Sequence, residues 1–93
     1  MEEKFIAAWA SARAQAEALG IRMRPVADAD ALKTAKRTLS GRRLSDGFNL
    51  LLAKNRLDLS LEALAIDKRY TQLFTDDEAN EALNRLLEVG YHF

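Results

Sequence analysis

Apolar residues recur at helical spacing along nearly the whole chain, and glycine, proline or a capping residue interrupts them at short intervals. This periodicity is the strongest constraint on the fold. Each helical residue turns by about 100°, so Phe5, Trp9, Ala12, Ala16 and Leu19 fall on one stripe. Seven alanines between Ala7 and Ala18 add high helix propensity, and Gly20 can adopt the left-handed conformation that closes a helix. The spacing predicts a first helix over 2–19.

Pro25 cannot continue a helix and pushes the residue before it away from helical dihedrals, so 21–26 reads as a connector. Asp28 or Asp30 can cap a second helix that runs to about Ser40, with Leu32, Ala35 and Leu39 inward and Gly41 as its stop. A polar loop with two glycines follows, in which Ser45 offers a fresh cap. The third helix is expected over 46–56. Phe48, Leu51 and Leu52 share one side and Leu50 faces the other, which suggests a central position in the bundle.

The alternation in Arg56-Leu57-Asp58-Leu59-Ser60-Leu61 mimics a strand, but the chain offers it no partner strand. We read a turn that feeds a fourth helix, capped by Ser60 and reaching about Tyr70, with Leu61, Leu64 and Ala65 inward. Leu73 and Phe74 anchor the next connection. Thr75-Asp76-Asp77-Glu78 has the pattern of a capping box, and its acidic side chains complement the positive end of the helix dipole. The fifth helix then buries Ala79, Ala82, Leu83, Leu86 and Leu87 and stops at Gly90, and the tail Tyr91-His92-Phe93 packs its aromatics back onto the bundle. The expected fold is all-α: residues 1–93 form a single compact domain of about five short helices.

Composition narrows the chemistry. Without cysteine there is no disulfide, thiolate metal site or thiol nucleophile. The one histidine, His92, has no nucleophile near it in sequence, no glycine-rich phosphate loop is present, and capping accounts for the carboxylates of Asp76, Asp77, Glu78 and Glu81. The expectation is therefore a protein that is not an enzyme and needs neither a metal nor a cofactor. An acidic start and the lack of a long apolar run speak against a secretory leader or a membrane span, so the chain reads as soluble and cytoplasmic.

Charge is where function shows. The totals balance, with 14 basic and 14 acidic side chains, but the distribution does not. Residues 1–21 carry −1, residues 22–56 carry +6 and residues 57–93 carry −5. Lys33, Lys36 and Arg37 form a helical stripe that Arg42 and Arg43 continue into the loop, and Lys54 and Arg56 join it if the fold brings their helix alongside. One reading is a nucleic-acid-backbone surface without base specificity, since Lys and Arg displace condensed counterions and the guanidinium fork matches phosphate oxygens. The other is that the basic centre meets the acidic C-terminal helices of the same molecule or of a second copy, while an acidic protein surface is the partner in the interaction-module alternative. A pI near 6.6 favours the second reading, because dedicated nucleic-acid domains tend to be basic overall. Trp9 is a further protein-contact candidate, being a residue type enriched in binding hot spots. A chain of this size buries a modest share of its surface, so a homodimer or host complex would add to its core.

Residues 56–65 resemble the start of the first helix of a repressor-type helix-turn-helix. Ile66-Asp67-Lys68-Arg69-Tyr70 and the acidic helix beyond depart from that pattern, since a helix beginning Asp-Asp-Glu meets phosphates with the wrong sign. The charge pattern therefore leaves an accessory binding role on nucleic-acid backbone as the first expectation and a protein-interaction module as the alternative.

Overall fold

The computed structural model describes residues 2–23, 26–41 and 44–91. Within them lie five α-helices: α1 (Glu2–Ala18), α2 (Ala31–Ser40), α3 (Phe48–Ala53), α4 (Leu61–Ala65) and α5 (Asp76–Glu88). Short 3-10 turns at Asp28–Asp30, Leu57–Leu59 and Thr71–Leu73 link them, and no strand occurs among the described residues. The fold is the small all-α bundle that the periodicity implies. No helix is long and apolar enough to cross a membrane.

Three helices end in the same way. After α1 the amide of Ile21 donates to the Ala16 carbonyl and that of Gly20 to Glu17, with Gly20 at φ 85°. After α5 the pattern repeats, Tyr91 to Leu86 and Gly90 to Leu87. After α3 it recurs with Asn55 at φ 59° in place of glycine, Arg56 donating to Leu51 and Asn55 to Leu52. This crossed pair of bonds satisfies carbonyls that a helix end leaves free, and Asn tolerates the left-handed residue better than most side chains. The asparagine ends α3 at Ala53, short of the expected 56.

The fourth helix is also shorter than its pattern suggests, stopping at Ala65 instead of Tyr70. The Asp67 carboxylate accepts from the Arg69 backbone amide at 2.9 Å and from its guanidinium at 3.1 and 2.9 Å. Such local bonds offer the backbone an alternative to the helix. Two caps take the expected form. The Ser60 hydroxyl accepts from the Ala63 amide at 3.1 Å, and Thr75 and Glu78 form the reciprocal capping box of α5. The aspartates before α2 do not cap it, because 28–30 is itself a 3-10 turn and neither end uses a side-chain bond.

The core is centred on Phe5. Its ring lies 5.9 Å from that of Trp9, 5.8 Å from Tyr70 and 5.4 Å from Phe74, the last two edge-on, so one residue of α1 joins the chain on both sides of the 71–73 turn. Helix α5 packs on α4 and α2, while α1 packs on α2, α4 and the 57–59 turn. The expected central placement of α3 is not seen. Phe48 and Leu51 are buried, but Leu50 and Leu52 face outward, as does Leu87 of α5. With only six residues, α3 buries a single edge against the 57–59 turn.

A charged pair sits inside this apolar frame. Glu62 of α4 is fully buried and Arg85 of α5 nearly so, and the Arg85 Nη1 donates to Glu62 Oε2 at 3.1 Å. Further hydrogen bonds hold both partners. Glu62 accepts from the Ser45 amide at 3.0 Å and from the Ser45 hydroxyl through a short bond. Arg85 Nε donates to Glu81 at 2.9 Å, and Nη2 to the carbonyls of Gly41 at 2.9 Å and Thr38 at 3.3 Å. Ser45 thus serves Glu62 instead of capping α3, whose N-terminal flank is Gly47.

Breaking a buried pair leaves an uncompensated charge, which costs about 3–5 kcal/mol. We expect Arg85→Met to lower the unfolding free energy by about that amount. Glu62→Leu/Arg85→Met should cost less than the sum of the two single changes, as measured by urea unfolding.

Candidate functional site

The basic residues separate into two groups once the chain is folded. Lys36 is a structural cation: its ammonium donates to Glu78 Oε1 at 2.8 Å and to the Leu73 carbonyl at 3.1 Å, and lies 5.7 Å from the centre of the Phe74 ring. It fastens α2 to the start of α5. Arg56 forms a two-bonded pair with Asp58 at 3.1 and 3.3 Å. Lys33, Arg37 and Lys54 are exposed and take part in no ion pair among the described residues. Lys33 and Arg37 lie one turn apart on α2. Lys54 and Arg56 follow α3, which packs chiefly on the 57–59 turn, whereas α2 packs on α1 and α5. Arg42, Arg43 and His92 lie outside the described residues.

Two acidic residues of α5 are likewise in use. Glu78 serves the capping box, Lys36 and the Ser40 hydroxyl, which donates at 3.3 Å, and Glu81 pairs with Arg85. No group of side chains suited to a metal ion occurs among the described residues.

Beside the exposed face of α2 opens a cleft of about 580 Å³. Trp9 and Arg13 of α1 line one side, Thr34, Arg37 and Thr38 of α2 the other, and Met23, Val26 and Leu44 supply apolar surface from the connecting segments. Two contacts place described residues that flank the cleft. Gly47 has φ 75°, and a Cβ there would come within 2.8 Å of Met23 Cε and 3.1 Å of Ile21 Cγ2, so the connector packs directly on a glycine backbone. Ser45, held by Glu62, fixes the next residues.

Within the cleft the Arg13 guanidinium lies 5.1 Å from the centre of the Trp9 ring, a favourable cation–π arrangement. Its Nη1 reaches the Val26 carbonyl at 3.5 Å, the limit of a hydrogen bond, and its buried Nε has no partner. Trp9 is therefore both core and cleft wall. The candidacy of Trp9 was visible in the sequence, whereas that of Arg13 was not, since it depends on how the connector folds back. Comparison with protein-family models, curated proteins and solved structures finds no match for this chain.

The Lys36–Glu78 contact carries a pH signature. Burial pushes the Glu78 carboxyl up, but bonds from the Lys36 ammonium and from the Thr75 amide and hydroxyl outweigh it and hold the acid below its ordinary value. A depressed folded-state pKa gives stability that is present above the unfolded value, about 4.3 for glutamate, and is lost as pH falls through the folded value. Glu78→Gln should therefore cost most near neutrality, and its deficit against the parent should shrink as pH drops below about 4, as read by urea midpoints across a pH series.

Proposed function

We propose that this domain is a non-enzymatic binding module that engages an acidic protein surface through the cationic face of α2. The observation that carries this reading is the pair Lys33 and Arg37, exposed one turn apart and without carboxylate partners among the described residues. Of the other described candidates, Lys36 is spent on Glu78 and Arg56 on Asp58, while Lys54 lies apart, after α3. A surface cation with no internal partner can exchange water for a carboxylate at little cost, and complementary charge raises association rate and specificity more than raw affinity.

Contact with nucleic-acid backbone is the second reading, favoured by the same solvent-facing spacing. Its weight falls because polyanion affinity grows with the number of phosphates neutralised. Two or three cations give a salt dependence of only about −0.9 per contact in log–log form. The neutral total charge points the same way.

Fluorescence anisotropy separates the two readings. A labelled Glu-rich peptide, duplex DNA, single-stranded DNA and RNA would each be titrated with the parent chain and with Lys33→Gln/Arg37→Gln over a salt series. The peptide should bind at low salt, and the double change should weaken it by about fivefold, two exposed pairs at roughly 0.5 kcal/mol each. Tighter binding to nucleic acid, with a salt slope that flattens in the variant, would replace the first reading by the second. No binding to any of the four would reject both.

A further inference from the structure

Arg13 stands apart from the other arginines whose contacts the structure describes. Arg56, Arg69 and Arg85 each pair with a carboxylate, and Arg85 places all of its described bonds at good distances. Arg13 is half-buried in a cleft with apolar walls, makes no ion pair among the described residues, and leaves a buried Nε–H unanswered. Buried donors without acceptors are rare in folded proteins and call for a specific explanation. The Trp9 ring offsets part of the cost by lying against the guanidinium, but a ring face does not accept the in-plane Nε–H.

We propose that this cleft is a binding site for a small amphipathic carboxylate, with the anion on Arg13 and the hydrocarbon body against Trp9, Met23, Val26 and Leu44. A carboxylate matches the guanidinium fork edge-on, and Nε, which the fold covers in the ligand-free chain, gains an acceptor when Arg13 turns toward the bound anion. A volume of about 580 Å³ lies within the usual range for small-molecule sites, and an apolar lining with a few placed polar groups is their usual composition. Arg37, on the opposite wall, adds attraction at the mouth.

This inference goes beyond the acidic-partner reading and does not rest on it, since Arg13 and Trp9 carry it and Lys33 does not. Trp9 is the only tryptophan, so its emission reports the cleft directly. The chain would be titrated with sodium octanoate, with 1-octanol as the same body without charge and acetate as the charge without the body. Octanoate should bind saturably, with 1-octanol and acetate each at least about tenfold weaker. Arg13→Gln should weaken octanoate by about tenfold, leave 1-octanol unchanged and retain the helical circular dichroism. Lys33→Gln should leave octanoate untouched while it weakens the acidic peptide. Equal binding of octanoate and 1-octanol by the parent chain would overturn the proposal even if Arg13→Gln failed to fold. Unchanged octanoate affinity in a folded Arg13→Gln, or no saturable response at all, would overturn it equally and leave the acidic-partner reading standing.

Discussion

The rest of the structure depends on the ion pair between Glu62 and Arg85. A carboxylate and a guanidinium removed from water are tolerable only when their attraction is joined by enough hydrogen bonds to replace the lost solvation. Here the replacement comes from three other places in the chain: the Ser45 amide and hydroxyl, the Glu81 carboxylate, and the carbonyls of Thr38 and Gly41. Those two carbonyls belong to the end of α2, where a helix leaves acceptors unfilled and carries partial negative charge. One guanidinium thus joins α4 and α5, closes α2, and through Glu62 sets where the 44–46 loop begins. An apolar pair of equal volume could fill the space, but it would leave the Ser45 amide and hydroxyl and the Thr38 and Gly41 carbonyls without these partners.

The cleft follows from that arrangement. Ser45 lines it while its amide and hydroxyl face Glu62, so the buried pair forms the back of the wall on which the cleft is built. The opposite wall is set by Phe5, whose edge-on contacts with Tyr70 and Phe74 fix the orientation of α1 and so the placement of Trp9 and Arg13 one and two turns further on. Because both walls stand on buried, fully packed groups, the cleft is a property of the folded bundle and not of its loops alone.

What could be read from the sequence was local. The capping box at Thr75, the Ser60 cap and the stops at Gly20 and Gly90 depend on residues a few positions apart, and the structure repeats them. The stripe carrying Phe5 and Trp9 was equally plain, since burial on one helix face is a periodic signal. The illegible part lay at long range. Glu62 and Arg85 are 23 residues apart and look like ordinary solvent-facing charges until α4 and α5 are laid together. Lys36 shows the same thing in reverse, since it sits in a basic stripe and yet serves Glu78, 42 residues away. Asn55 and Asp67 shortened two helices through side-chain and backbone options that apolar periodicity does not register.

The neutral total of the chain also takes on a physical meaning. The basic centre and the acidic C-terminal part do meet, through Lys36 and Glu78, so part of the charge asymmetry is used to hold α2 on α5. That use is selective. Positions 33, 36 and 37 lie on one short helix, and the contact with α5 takes Lys36 while Lys33 and Arg37 stay exposed to solvent. Arg37 is also a lining residue of the cleft, so the face that remains cationic looks across it to the under-bonded guanidinium of Arg13. Other unpaired cations, such as Lys54 after α3, lie elsewhere, so the link between charge and cleft rests on Arg37. On the reading proposed above, an anionic partner would meet both the charge of Arg37 and the apolar surface around Trp9 on this side of the bundle.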